Sequence, residues 1–193
     1  MLKILLQGLG EFEAELIHWL SGELPVHLPF SIIFETSDRN FPIPCSAYNS
    51  KRNQFNASQI LSEVSALFKH TGFFRILGLL DRDIYVEGLN FIFGLAEKPL
   101  NIFSEHPLIA LVSTRRLSAG LSEYTSRVFK LRLIKESVHE LGHTLSLDHC
   151  LNDCVMRFSN TIFEADLKPV SFCNECFSKA RTYIESIKNK RIF

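Results

Sequence analysis

Residues 139–150 read His-Glu-Leu-Gly-His-Thr-Leu-Ser-Leu-Asp-His-Cys, which places three histidines and a glutamate at fixed spacings. On a helix, His139 and His143 lie about 40° apart around the axis and about 6 Å apart along it, so both imidazoles reach one ion. The Glu140 side chain points about 100° away from His139, where a carboxylate meets a water bound to the ion rather than the ion itself. The pattern predicts a metal ion with a general base beside it.

The third histidine of this stretch requires the helix to end before it. His149 follows His143 by six residues and would lie about 9 Å further along a continuous helix, on another face. A catalytic zinc takes three protein ligands and keeps a fourth position open, so we expect the chain to fold back and bring His149 to the first two. The alternative is that all three are ordinary surface histidines. The remaining histidines have no partner spacing and are expected to be structural or exposed: His18, His27, His70 and His106.

Four of the five cysteines crowd into the last quarter of the chain: Cys150, Cys154, Cys173 and Cys176. Their short spacings suit one tetrahedral zinc ion, and a closed site of four thiolates contributes to folding rather than to chemistry. Unpaired buried thiols are the alternative. Cys45 lies far upstream and is expected to be a buried or idle thiol.

The histidine motif running directly into a four-cysteine site around Met156 resembles the archaemetzincins, which are zinc peptidases of the metzincin type. Similar stretches are Gly88-Leu89-Asn90-Phe91, Phe93-Gly94-Leu95-Ala96 and Arg115-Arg116-Leu117, and the resemblance extends from about Leu77 to Cys176. It implies two zinc ions, one catalytic and one structural, with Met156 as the floor of the catalytic site. It also allows an aminopeptidase activity.

The same resemblance assigns Phe91–Glu97 to an edge strand that pairs with an extended peptide substrate, with Phe93, Gly94, Leu95 and Ala96 in contact with it. An exposed strand edge offers a peptide the hydrogen-bonding partners of a sheet. A plain core strand is the alternative for this apolar run.

Two positions depart from the family pattern. Ser146 replaces the glycine at which the helix turns away, and a left-handed backbone there costs a non-glycine residue about 1 kcal/mol or more. Phe158 stands where some metzincins carry a tyrosine near the metal, which leaves oxyanion stabilisation mainly to zinc and gives Arg157 at most a minor part.

The composition excludes several classes of protein. The 193 residues are 46% hydrophobic, and 21 basic residues balance 21 acidic ones, which argues against a surface built to bind nucleic acid. Lys168, Lys179 and Arg181 are too few to favour such a role for the cysteine segment. No apolar run reaches the ~20 residues of a membrane span, and Met1–Gly10 lacks the basic region of a signal peptide. We expect a cytoplasmic monomer with a peptide or protein substrate, no nucleic acid and no membrane partner.

Strand and helix patterns alternate upstream of the histidines and predict a mixed sheet covered by helices. The expected strands are Leu2–Leu6, Val26–Phe34, Phe73–Leu80, Asn90–Ala96 and Leu108–Ser113; the expected helices are Glu11–Leu20, Ala57–His70, Ser122–Leu145 and Glu175–Lys190. Asp38–Asn56 carries turn formers without a period and is expected to be a long loop. Basic residues of the helix before the histidines are expected to form its solvated side: Lys130, Arg132 and Lys135.

The sequence therefore predicts an α/β fold with α+β-like features: a metzincin-like twisted mixed sheet with one antiparallel edge strand, covered by helices. Residues 1–145 would form an N-terminal subdomain that ends in the active-site helix, and residues 146–193 a small helical, zinc-bound C-terminal subdomain. The leading hypothesis is a zinc peptidase with Glu140 as base. The alternative is a catalytically silent, zinc-stabilised peptide-binding protein, which the Ser146 departure favours.

Overall fold

A five-stranded sheet organises the chain, for which the computed structural model describes residues 1–28, 30–100, 106–121 and 126–190. The elements, in chain order, are β1 (Leu2–Leu9), α1 (Ala14–His27), β2 (Ile32–Thr36), a 3₁₀ turn (Cys45–Ala47), β3 (Tyr48–Asn49), β4 (Gln54–Asn56), α2 (Ala57–Phe68), β5 (Arg75–Leu80), β6 (Ile84–Tyr85), β7 (Gly94–Ala96), β8 (Leu108–Ser113), α3 (Thr114–Leu117), α4 (Arg127–Thr144), α5 (Ile162–Leu167) and α6 (Asn174–Lys190). The strand order in the main sheet is β2-β1-β5-β8-β7.

Four strands of this sheet are parallel, and the fifth reverses direction at the edge. Strands β2, β1, β5 and β8 run parallel, whereas β7 pairs antiparallel with β8 through Gly94 opposite Val112 and Ala96 opposite Ala110. Parallel strands read as continuous apolar runs because helices cover both of their faces. Here α1 and α4 pack on one face, and α2 packs on the other. The predicted mixed sheet with one antiparallel edge strand is confirmed.

The first helix extends further than its sequence suggested, and the second strand begins later. Helix α1 ends at His27, so the predicted strand at Val26–Phe34 is wrong over its first residues, and β2 begins only at Ile32. Leu20, Leu24 and Leu28 are buried at a spacing of four, which is helical, whereas Val26 is 75% exposed. Pro25 is tolerated in the last turn, although proline donates no hydrogen bond.

The stretch Asp38–Asn56 is not the structureless loop that its composition indicated. It contains the 3₁₀ turn and strands β3 and β4, and β4 pairs in parallel with β6 to form a second, three-stranded sheet. Each strand is two or three residues long, too short for a period of two to show in the sequence. The predicted strand Asn90–Ala96 shortens to Gly94–Ala96, with an isolated bridge from Ile92 to Ile84.

Helix α4 is buried from Arg132 onward, which corrects the expectation of a solvated basic face at Arg132 and Lys135, whereas Lys130 is half-buried. It begins at Arg127 after the Ser126 cap, whose side chain accepts the Phe129 N–H; the predicted start at residue 122 lies outside the described residues. Arg132 forms an ion pair with Asp166, with Nε and Oδ1 2.7 Å apart, and Lys135 donates to main-chain carbonyls of α5. In the described part of the chain, no helix is long and apolar enough to cross a membrane.

Candidate metal centre and cleft

Helix α4 ends in a tight turn that returns the chain toward His139 and His143. Ser146 has a φ of 67°, which is the left-handed conformation that its position predicted. The N–H groups of Leu145 and Leu147 both donate to the Gly142 carbonyl and close the turn. The serine therefore adopts the turn that glycine would adopt, and the departure from the family pattern does not prevent His149 from folding back.

The three imidazoles of the motif converge on one point. The Nε2 atoms of His139 and His143 lie 3.1 Å apart. The ring centroid of His149 lies 5.4 Å from that of His139 and 4.9 Å from that of His143. Two ligands of a tetrahedral zinc at about 2.0–2.1 Å would be separated by about 3.3 Å. One ligand nitrogen from each histidine lies within 4.8 Å of the others, so this set fits a single zinc ion.

Hydrogen bonds fix which nitrogen of each buried imidazole faces the shared point. His139 Nδ1 lies 2.9 Å from the Val155 carbonyl oxygen, and His143 Nδ1 lies 2.8 Å from that of Leu147. Each Nδ1–H therefore donates to a carbonyl and leaves the Nε2 lone pair free for a metal. Burial lowers the pKa of all three histidines, and that of His143 falls to about 4. They are neutral at pH 7, as a metal ligand must be.

Glu140 lies beside this point, beneath the edge strand. A Cβ at Gly94 would lie 2.7 Å from Glu140 Oε1, so only glycine allows β7 to pass so close to the carboxyl group. Burial, followed by the negative charge of Glu136, raises the pKa of Glu140 well above its usual range, while Lys168 opposes the shift. A cation at the centre of the histidines would also oppose it and favour the carboxylate.

Met156 packs directly under the helix turn that carries His139 and His143. A Cβ at Gly142 would overlap the Met156 side chain, so the glycine between the two histidines makes room for the methionine. Met156 is fully buried, and its carbonyl accepts the N–H of Cys150. Met156 therefore packs against the turn of α4 that contains His139 and His143.

The four clustered cysteines also come together. Their sulfur atoms all lie within 4.8 Å of one another, and those of Cys150 and Cys173 are 3.8 Å apart. Tetrahedral zinc with Zn–S bonds of about 2.3 Å separates its sulfurs by about 3.8 Å. The Cys154 sulfur also accepts N–H groups from Met156 and Cys173, a contact that favours thiolate. Cys45 is exposed and lies outside the cluster.

These thiols have unequal affinities for protons. Burial raises the pKa of Cys154, and it raises that of Cys176 further, helped by hydrogen bonds with Cys150 and Cys154. Burial also acts on Cys173, but hydrogen bonds led by the Cys176 N–H outweigh it and lower the pKa to about 7. Four crowded sulfurs without a cation cannot all ionise, which is the situation that a zinc ion relieves.

Comparisons with known proteins agree with this geometry. The sequence profile of Peptidase family M54 matches residues 35–182. The archaemetzincin of Archaeoglobus fulgidus is 42% identical over 73% of this chain and 81% of its own, and that of Methanocaldococcus jannaschii is 36% identical over 93% of both. The chain belongs to the archaemetzincin family. It is therefore a zinc metallopeptidase, a hydrolase whose substrates are peptides.

Solved archaemetzincin structures share the fold. The Archaeoglobus fulgidus protein, crystallised in complex with malonate, superposes with a TM-score of 0.76 at 36% identity, over 92% of this chain and 99% of its own. The Methanopyrus kandleri archaemetzincin gives a TM-score of 0.78 at 29% identity, over 95% and 96% of the two chains. The α/β class predicted from the sequence is thus the fold of this family.

The archaemetzincin cleft runs between the edge strand and α4. The residues that line it are Val86, Leu89, Phe91, Ile92, Phe93, Gly94, Leu95, Ala96, Lys98, Glu136, His139, Glu140, His143, His149, Phe158, Ser159, Asn160 and Lys168. Strand β7 is at the sheet edge, with β8 on one side only, so its other side faces the cleft. The Phe158 ring lies 4.8 Å from that of His149, whereas Arg157 is exposed and does not line the cleft.

Sequence reasoning missed two charged residues of this cleft. Glu136 precedes Glu140 by one helical turn, and its position on the same helix face was a readable signal. Lys168 was considered only as a basic residue of the cysteine segment, yet it is 2% exposed and lies 3.4 Å from Glu136, measured from Nζ to Oε2. No local pattern signals Lys168, because it follows α5 and reaches the cleft only through the tertiary fold.

Proposed function

We propose that His139, His143 and His149 hold the catalytic zinc and that Glu140 is the general base for hydrolysis of a peptide bond. The observation that carries this proposal is the convergence of three neutral imidazoles on one point beside a buried carboxyl group. An ion held by three imidazoles keeps a position for water. A purely structural site would have no use for an adjacent base.

The side chains of the protein, and Glu140 in particular, carry out the proton transfer. Zinc at this site would supply Lewis acidity and a water whose pKa is lowered to about 7. Glu140 would accept a proton from the attacking water and pass it to the leaving amine. The Nδ1–H bonds of His139 and His143 hold both imidazoles in place during the reaction. Phe158 stands where some metzincins carry a tyrosine, and its ring has no hydroxyl group that could donate a hydrogen bond to the oxyanion.

The edge strand supplies the binding surface for an extended peptide, which we propose runs antiparallel to β7. Gly94 lies over Glu140, and Lys98, beyond the strand, pairs with Asp148 beside the last histidines, with Nζ and Oδ1 2.6 Å apart. An antiparallel peptide has its amino-terminal part near Lys98 and its carboxyl-terminal part near Gly94. Main-chain pairing provides affinity without demanding a particular side chain.

We propose that a second zinc ion on the four cysteines would stabilise the segment that follows α4, and that the described residues from 146 to 190 form a subdomain around it. Cys150 directly follows His149, and its N–H donates to the Met156 carbonyl. The Val155 carbonyl in turn faces His139. The segment between the two sites therefore contacts the histidine ligands from below, so we propose that the cysteine zinc holds the catalytic one in place.

A peptide-library digest by the zinc-loaded protein tests the activity, with Glu140→Ala as its matched control. We expect cleavage by the unmodified chain and about 10²–10⁴-fold less by the variant, the range that a general base contributes. Duplicate libraries with free and acetylated amino ends test the aminopeptidase assignment, which requires cleavage of the free set alone. Equal cleavage by chain and variant would refute Glu140 as the base.

A further inference from the structure

The ammonium group of Lys168 is buried in the cleft with most of its hydrogen-bonding capacity unused. Its side chain is 2% exposed, and its Nζ makes one hydrogen bond to the described residues, to Glu136 Oε2 at 3.4 Å. A lysine ammonium has three donors. Two remain for another acceptor at a place where bulk water has little access.

Ser159 carries a second unused group in the same cleft. Its Oγ is shielded from solvent and has no hydrogen-bond partner among the described residues. Ser159 lines the cleft together with Lys168, Glu136 and Asn160. A buried hydroxyl without a partner costs free energy unless a ligand supplies one. Two donors in one wall of a cleft favour a ligand oxygen that accepts hydrogen bonds.

The position of this wall assigns it to one part of a peptide substrate. Glu136 lies one turn before Glu140 on α4, and Glu140 lies under Gly94. Lys98 lies four residues after Gly94 along the chain and pairs with Asp148, the neighbour of His149. In the antiparallel alignment of the proposed function, the residues after the scissile bond lie at the Gly94 end, toward Glu136 and Lys168.

We propose that Lys168 and Ser159 recognise a carboxylate or carboxamide oxygen in the side chain of the residue that follows the scissile bond. This inference rests on the proposed peptidase function and specifies its substrates as peptides with Asp, Glu, Asn or Gln at that position. An apolar side chain would leave both donors unmet, and a site built from buried hydrogen-bonding groups discriminates strongly against such a ligand.

Glu136 has a complementary part in the same wall. It compensates the charge of Lys168 when no substrate is bound, since an unpaired buried ammonium would be costly. It also offers an acceptor to the amide hydrogens of a carboxamide. Glu136 and Lys168 are therefore specificity-determining and positioning residues, whereas Glu140 is the general base.

Binding of three hydroxamates tests the proposal without turnover. Each carries the zinc-binding hydroxamate group next to one side chain, which is carboxyethyl, carboxamidoethyl or isobutyl. We expect the zinc-loaded protein to bind at least one of the two polar compounds about tenfold or more tightly than the isobutyl one, as measured by calorimetry. The tighter of the two polar compounds shows whether charge or hydrogen bonding dominates. Tighter or equal binding of the isobutyl compound overturns the proposal.

Two variants locate the effect. Ser159→Ala removes one donor with little risk to folding and should reduce the preference about threefold to tenfold, leaving the affinity for the isobutyl compound unchanged. Lys168→Met combined with Glu136→Gln removes the charges as a pair and should reduce the preference further than Ser159→Ala does. Lys179→Met is the matched control, because Lys179 is an exposed lysine of α6. An unchanged preference in Ser159→Ala and in the double variant overturns the proposal.

The outcomes of these measurements distinguish this inference from the proposed peptidase function on which it rests. Binding of all three compounds without preference refutes the specificity alone. Binding with the expected preference, but without cleavage of any peptide, supports the recognition and refutes the peptidase mechanism. Failure of all three to bind the zinc-loaded protein overturns both, because the hydroxamate group must reach the metal.

Discussion

The histidine site and the cysteine site lie beside each other but differ in the number and type of ligands that they offer a zinc ion. His149 is exposed and faces the cleft, with Glu140 next to the point where the imidazoles meet. In the cysteine cluster, Cys154 and Cys176 are buried, and the sulfur of Cys154 accepts main-chain N–H groups. Three imidazoles would leave the fourth position of a zinc ion open to water and substrate, whereas four thiolates would close the site.

The difference shows how one short segment serves both sites. His149 and Cys150 are neighbours in sequence, and the carbonyl of Val155, between Cys154 and Met156, faces His139. A metal in the closed site contributes to folding, and a metal in the open site contributes to the reaction. Ligand removal at the two sites should therefore produce different losses, and the following predictions test that distinction in order of expected size.

Replacement of His149 by alanine should produce the largest effect, on activity. We expect peptide hydrolysis to fall more than about a thousandfold, because the metal contributes several kcal/mol to the transition state. Zinc content measured by atomic absorption should fall by one ion per chain, with the thermal midpoint only slightly lowered. His70→Ala, an exposed histidine, is the control. A variant that kept a tenth of the activity would exclude His149 as a ligand.

Replacement of Cys173 by serine should instead act on stability. Loss of the closed site should reduce the free energy of unfolding by about 3 kcal/mol or more, measured in urea. Zinc affinity at the histidines should also weaken, because the connecting segment loosens. Cys45→Ser, at an exposed thiol outside the cluster, should change neither quantity. Two zinc ions still bound to Cys173→Ser would contradict the proposed coupling.

Acidification should destabilise the metal-free protein through its buried histidines. Burial lowers the pKa of His143 from 6.5 to about 4 in the folded chain, so between these values the unfolded chain binds a proton that the folded chain does not. Stability is therefore lost as pH falls from about 6.5 toward 4, and His143 alone accounts for about 2 kcal/mol between pH 7 and pH 5.

Urea unfolding of chelator-treated protein at several pH values measures this loss. His143→Gln should reduce the dependence of the unfolding free energy on pH by the part that His143 contributes. His70→Gln should show the same dependence on pH as the unmodified chain. If the His143→Gln protein showed the same dependence on pH as the unmodified chain, the loss would have to come from other groups.

Replacement of Ser146 by glycine should produce the smallest effect. The left-handed backbone at φ 67° costs serine about 1 kcal/mol, and the greater freedom of glycine in the unfolded chain offsets part of the gain. We expect a net stabilisation of about 0.5 kcal/mol in thermal unfolding, with unchanged zinc content. Ser146→Ala should give no gain. A loss of stability in Ser146→Gly would show that the serine side chain contributes a contact of its own.

Much of the metal chemistry was readable because it depends on local spacing. The four-residue interval between His139 and His143 fixes their common helix face, and the need for a third ligand predicted the turn at Ser146. Elements whose signals conflict were predicted less well. Val26 and its apolar neighbours suggested a strand, but they complete a helix, because Leu24 and Leu28 bury one of its faces.

The sequence alone indicated the candidate ligand types, their grouping into two sites and a mixed sheet, because each depends on spacing within a short stretch, whereas the antiparallel edge strand was expected from the family resemblance. Only the tertiary structure decided that Arg132 and Lys135 are buried, and that Lys168 joins Glu136 across 32 residues. Periodicity fixes the direction of a side chain within its own element. It carries no information about which distant element covers that side chain, and this packing places Lys168 in the cleft although no local pattern singles it out.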